Sequence, residues 1–134
     1  MNRKKLLITT SIIGILLFVV NILATKYSWY FYYWWFDMPM HFVGGVFVFL
    51  LIVYIMAKIK RSGFTVNKAI LLTVLIGLLW ELYEVSIEKI VKISELTSLL
   101  DSISDVFFDT AGALSALLLL SILKKRAKKY EQGQ

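Results

Sequence analysis

The sequence contains no cysteine, a single proline and a single histidine in 134 residues. Without cysteine there can be no disulfide, no thiolate metal site and no cysteine nucleophile. One proline and seven glycines are too few for a collagen-like or a disordered chain. Charged residues are also scarce, at 18% of the chain, whereas soluble domains carry about 25%. These shortages argue against an ordinary soluble domain.

What the chain has in excess is apolar mass. Hydrophobic residues make up 59% of it, and the mean hydropathy is +0.75. A single small core could not bury so many apolar side chains, but lipid can surround them. The net charge of +6 comes from basic residues that flank apolar runs instead of lining one face of a helix. This pattern predicts membrane anchoring and contact with the lipid bilayer, and no binding of nucleic acid.

Four apolar stretches approach the roughly 20 residues that a helix needs to cross the hydrocarbon layer. The first could also be a cleaved signal peptide, but its apolar core is long for one and Ala24-Thr25-Lys26 is a poor cleavage site. We predict an all-α integral membrane bundle of four transmembrane helices, forming one domain over residues 1–134 with a basic tail at 124–134. The predicted spans are about 6–25, 38–57, 69–87 and 105–123.

Two connecting segments have patterns of their own. Residues 27–36 are almost entirely aromatic, which is typical of a belt at the membrane interface, with a substrate-stacking surface as the alternative. In residues 90–103, isoleucine and leucine recur at helical spacing, which predicts a short interfacial amphipathic helix before the fourth span.

Lysine and arginine concentrate at the N-terminus, in the 58–68 loop and in the C-terminal tail. The positive-inside rule places these three regions in the cytoplasm and the 26–37 and 88–104 connections outside. We therefore expect a multi-pass protein of the cell (inner) membrane with both termini cytoplasmic.

Ionisable side chains within apolar helices cost several kcal/mol unless they are paired or face a polar cavity, so they are the informative positions. Three pairs occur, each at helical spacing near the outer end of the second, third or fourth span. Because the three ends share one side of the membrane, the pairs predict a single acidic pocket that opens outward. The pairs are Asp37 with His41, Glu81 with Glu84, and Asp105 with Asp109.

Several roles are open to this pocket. All six residues are candidate ligands of a divalent metal ion such as Zn, Mn or Mg. His41, Glu81, Glu84 and Asp109 are candidates for acid–base catalysis on a lipid or a lipid-linked envelope precursor. Other interpretations are a site for a lipid headgroup, a small proton- or cation-coupled transporter, and a buried network that only fixes helix packing. Small residues beside the pocket predict close helix packing, at Gly44, Gly45 and Gly112.

At these positions the sequence resembles the VanZ-like family of small bacterial membrane proteins. That family has Asp-x3-His-Phe, Glu-x2-Gln and Asp-x3-Asn-x2-Gly at successive span ends. Here the strings are Asp37-x3-His41-Phe42, Glu81-x2-Glu84 and Asp105-x3-Asp109-x2-Gly112.

The chain departs from the VanZ-like pattern where Glu84 replaces Gln, where Asp109 replaces Asn, and in lacking an Arg before Asp105. The extra acids look equally like those of a related, uncharacterised inner-membrane family. The VanZ-like resemblance implies a role in the cell envelope. The protein after which that family is named is associated with teicoplanin-type glycopeptide resistance.

Overall fold

The computed structural model describes residues 2–59, 63–91 and 99–132, and within these ranges the chain is helical with no strand. Four of its helices are long and apolar enough to cross a membrane. The predicted all-α architecture with four helices of membrane-spanning length is therefore confirmed. The helices are α1 Arg3–Lys26, α2 Trp29–Tyr32, α3 Asp37–Lys58, α4 Val66–Val91 and α5 Leu99–Gln132.

Helix α3 is the centre of the bundle and packs against α1, α4 and α5, most extensively against α5. The starts of α3 and α5 lie side by side, since Gly112 faces the backbone of Phe42. The end of α4 lies against the start of α3, where Glu81 approaches His41. We call this end of the bundle, where α3 and α5 begin and α1 and α4 finish, the acidic end.

Two glycines allow the backbones of α3 and α5 to touch. A Cβ added to Gly45 would overlap the backbone carbonyl of Asp109, and one added to Gly112 would overlap the carbonyl of Phe42. Gly44 is different, because a Cβ there would meet only the Asp109 carboxylate, at an ordinary 3.7 Å. The close approach of the helices therefore depends on Gly45 and Gly112, while Gly44 borders open space.

Few large apolar side chains are buried, and Phe49 is one of them. Many others are largely exposed on the helix surfaces, such as Phe18 at 65% and Leu118 at 63%. In water this much exposed apolar surface would favour aggregation, whereas in a bilayer the same side chains contact acyl chains. The distribution of burial is that of a bundle with lipid as its solvent.

The helices extend beyond the predicted spans, most of all α4 and α5. Helix α5 runs to Gln132, so the described part of the predicted basic tail is helical and continuous with the fourth span. Residues 92–98 of the predicted interfacial helix lie outside the described residues. Of its flanks, residues 90–91 belong to α4 and residues 99–103 to α5. A separate interfacial helix stays a prediction.

Candidate functional site

His41 lies at the acidic end, buried among four carboxylates from three helices. Its Nε2 atom is 3.5 Å from Asp37 Oδ1, 3.8 Å from Glu81 Oε1 and 4.0 Å from Asp105 Oδ2. Its Nδ1 atom is 3.5 Å from Asp109 Oδ2. The one imidazole of the chain is therefore the meeting point of acids that are far apart in the sequence.

Helical spacing aims these side chains at one another. Asp37 and His41 are four residues apart on α3, and Asp105 and Asp109 are four apart on α5, so each pair occupies one helix face. Room for the Asp109 carboxylate comes from α4, where a Cβ on Gly77 would overlap Oδ2 of Asp109. Three helices thus have to pack correctly before the cluster forms.

The cluster is largely removed from solvent, and one of its hydrogen-bond acceptors has no partner within the described residues. His41, Glu81, Asp105 and Asp109 are all at most 7% exposed. In the part of the chain that the structure describes, Glu81 Oε1 is buried without a hydrogen-bond partner, since its 3.8 Å separation from His41 Nε2 is too long for one. A buried acceptor in this state costs about 1–3 kcal/mol. A bound cation or proton would remove that cost.

Among the residues that the structure describes, two sets of side chains have the spacing of metal ligands, and both include His41. In one, the ligand atoms of Asp37, His41 and Asp105 lie within 4.8 Å of one another; in the other, those of His41, Glu81 and Glu84 do. Glu84 is half-buried, one helical turn beyond Glu81. The structure brings all six predicted site residues to one cavity.

The cavity has a volume of about 780 Å³ and is lined by residues of α1, α2, α3, α4 and α5. Asp101 also lines it, although its side chain is exposed. From the acidic end the cavity reaches down to Gly14 on α1, Val48 on α3 and Thr73 on α4. The acids therefore occupy one end of an elongated space whose other end is apolar.

Tyr30 and Asn21 are two of the polar residues at the cavity wall that sequence reasoning missed. The Tyr30 hydroxyl donates a hydrogen bond to Asn21 Oδ1 at 2.7 Å, and both residues line the cavity. Partial burial, together with the nearby carboxylates of Asp37 and Glu84, raises the pKa of the Tyr30 phenol to about 12. Tyr30 is thus a neutral donor at the acidic end, unlike Phe31 in the same aromatic run, which is 84% exposed.

Gly77 was also missed, although a signal for it existed. It precedes Glu81 by four residues and so lies on the same face of α4, one turn deeper. A residue without a side chain directly beneath a buried carboxylate indicates that another group occupies that space. Here the group is the carboxylate of Asp109.

The four apolar helices define a multi-pass membrane protein, and a histidine–carboxylate cluster is buried between three of them. Residues 2–126 match the family described as "Predicted membrane protein (DUF2238)", and the chain belongs to that family. Comparison with curated proteins and with solved structures gives no match. Of the two resemblances expected from the sequence, the broader one, to an uncharacterised membrane family, is confirmed.

Proposed function

We propose that this protein is a VanZ-like protein of the cell envelope that binds a divalent metal ion at His41 and acts on a lipid or a lipid-linked precursor. One observation carries the proposal: carboxylate oxygens from three different helices lie 3.5 to 4.0 Å from the same histidine nitrogen. Buried ionisable groups in membrane spans are expensive, and their convergence on one atom favours a function over chance.

The spacing suits a metal ion. Zn–N and Zn–O bonds of about 2.0–2.2 Å put tetrahedral ligands about 3.4 Å apart. The three separations around His41 Nε2 are only slightly longer, and the ligand atoms of Asp37, His41 and Asp105 lie within 4.8 Å of one another, so movement of these side chains toward a shared ion would complete the set. Asp109, on the opposite nitrogen, is placed to accept a hydrogen bond from Nδ1–H and so orient the ring, as carboxylates behind metal-binding histidines do.

The ligand types favour hard or borderline ions. One imidazole with carboxylates suits Zn, Mn or Mg, and such an ion would supply Lewis acidity at the site. Asp37, His41 and Asp105 form the proposed ligand set, with Glu81 as a fourth ligand. Glu84 faces the same cavity beyond this set and is the proposed proton acceptor.

The proposed location is the inner membrane, with both termini cytoplasmic and the acidic end on the outer side. The distribution of lysine and arginine supports it, because the basic residues lie in the first turn of α1, at and beyond the end of α3, and in the last turns of α5. This orientation would expose the site to envelope substrates.

Metal analysis tests the proposal directly. Protein purified in detergent at neutral pH, incubated with Zn, Mn or Mg and desalted, should retain about one ion per chain when measured by plasma mass spectrometry. Asp105→Asn removes a proposed ligand and should lower metal affinity at least about tenfold. The matched control is Asp101→Asn, one turn earlier on α5, which is outside both ligand sets and should retain the ion. Folded protein without metal, or equal loss in both variants, would contradict the proposed site.

The orientation can be measured with single cysteines, because the chain has none of its own. Ser28→Cys lies between α1 and α2 and should react with a membrane-impermeant maleimide in intact spheroplasts. Thr65→Cys, just before α4, should react only after the membrane is permeabilised. Both side chains are exposed, so access should depend on the side of the membrane alone. The reverse pattern would invert the proposed topology.

A further inference from the structure

We infer that the cavity takes up a membrane lipid sideways, through the gap between α1 and α4, and binds it by a protonated amine in its head group. This inference deepens the proposed function by naming its substrate class and route of entry. It depends on the shape and charge of the cavity, and the metal ion is not needed for the binding itself.

The gap follows from how the helices pack. Helix α1 packs on α3, and α4 packs on α3 and α5, but the described parts of α1 and α4 do not pack extensively against each other. Both nevertheless line the cavity, and lining residues on them are exposed: Phe18 at 65%, Ile76 at 43% and Trp80 at 51%. Weak packing between α1 and α4 together with exposed wall residues on both helices is what an opening between them would produce. At this depth in a bilayer, the opening faces acyl chains.

The dimensions fit a lipid and not a small solute of the aqueous phase. The cavity spans Gly14–Thr25 on α1, Asp37–Val48 on α3 and Thr73–Glu84 on α4. Each range covers about 16 Å at about 1.5 Å per residue, which is roughly half of the hydrocarbon thickness of about 30 Å. The volume of about 780 Å³ is also of the size that ligand pockets have.

Polarity changes along this length as it does along an amphiphile. Carboxylates and Tyr30 line the acidic end, while the deep end is lined by apolar groups. Between the two ends, the α3 wall has no side chain at Gly44, where an added Cβ would meet only the Asp109 carboxylate at 3.7 Å. A head group would therefore lie among the acids and its chain along the apolar wall, which is formed by Leu17, Phe18, Phe47, Val48 and Ile76.

Charge selects the head group. Six of the nine acidic residues of the chain line the cavity, and no lysine or arginine is among its described lining residues. A bound divalent ion would offset only two of those formal charges. An anionic head group would meet repulsion at close range in a medium of low dielectric constant, whereas an ammonium group would be attracted. The amine would have oxygen acceptors on three helices.

Photolabelling with matched probes tests this inference. The full chain is reconstituted in phosphatidylcholine vesicles with a trace of a long-chain alkyl amine that carries a diazirine in its chain, or with the alkyl sulfate of the same chain. The amine should label the cavity wall, near Leu17 and Ile76, at least about tenfold more than the sulfate does, a preference of about 1.4 kcal/mol. Mass spectrometry of the peptides locates the label. Equal labelling by both probes would overturn the charge selection.

A matched pair of variants tests the route. Leu17→Trp places a large side chain in the cavity and should reduce amine labelling several-fold; Leu16→Trp, on the neighbouring lipid-facing position that is 58% exposed, should not. On α4, Ile76→Trp should likewise reduce amine labelling, and Leu75→Trp should not. Labelling that is insensitive to Leu17→Trp and Ile76→Trp would overturn lateral entry. So would cross-linked dimers joined through this gap, because a second copy would then occupy it.

The same vesicles separate this inference from the proposed function. Amine-selective labelling that persists in protein shown to bind no metal would refute the metal site and leave the lipid site standing. Metal binding without amine selectivity would refute the lipid site alone.

Discussion

Gly45→Ala is expected to destabilise the bundle by about 3 kcal/mol or more, at the upper end of what overpacking costs. The added methyl group would overlap the backbone carbonyl of Asp109, and backbone cannot rotate away as a side chain can. Moving α5 outward would also pull Asp109 from His41, 3.5 Å away. The measurement is unfolding in detergent, followed by the fluorescence of the four tryptophans.

The adjacent glycine is the control. Gly44→Ala adds the same methyl group to the same helix, but its Cβ would lie 3.7 Å from Asp109 Oδ1, an ordinary contact. Alanine is also a better helix former than glycine by up to about 1 kcal/mol. We therefore expect Gly44→Ala to be neutral or slightly stabilising. Similar losses in both variants would show that α3 and α5 do not touch at Gly45.

The contrast between Gly44 and Gly45 marks the limit of what the sequence could predict. Two small residues in a row indicate close packing, but successive residues on a helix point about 100° apart, so only one can face a given neighbour. Which one faces α5 depends on the rotation of α3 in the bundle. The lengths of the apolar runs predict the helices and carry no information about that rotation.

The site was more predictable than the cavity. The pairs that include His41 and Asp109 could be found because ionisable groups are rare in apolar helices and because alternating spans bring their ends together. Asn21 and Tyr30 could not be found this way. Polar and aromatic residues near a span end are common, and their place on the cavity wall follows from how α1 and α2 pack in the bundle, which is a result of tertiary structure.

The extension of α5 has a local cause. Residues 124–132 consist mostly of lysine, arginine, alanine, glutamate and glutamine, which have high helix propensity. The helix therefore does not end where this segment leaves the hydrocarbon layer. Hydropathy indicates where a span leaves the apolar layer, and the helix can continue beyond that point.

His41→Ala should abolish metal binding and the dependence of stability on metal. A ligand that binds only the folded protein raises its unfolding free energy, by about 2.7 kcal/mol at a hundred times the dissociation constant. For the wild type we expect the unfolding temperature to rise with added metal and to fall with chelator. His41→Ala removes the nitrogen shared by both ligand sets, so its unfolding temperature should respond to neither.

A buried network that only fixes packing predicts a different result, and His41→Gln separates the two. Glutamine keeps amide donors near the carboxylates of Asp37 and Asp109, so in a purely structural network it should restore much of the stability lost in His41→Ala. In a purely structural network, the unfolding temperature of the wild type should also not change with chelator. If the cluster binds Zn, His41→Gln should remain as insensitive to Zn as His41→Ala, because neutral side-chain amides are poor substitutes for imidazole as ligands of Zn. Removing one partner of a buried ion pair costs about 3–5 kcal/mol in itself, so a loss of stability in His41→Ala is expected under both hypotheses. The response of stability to metal distinguishes them.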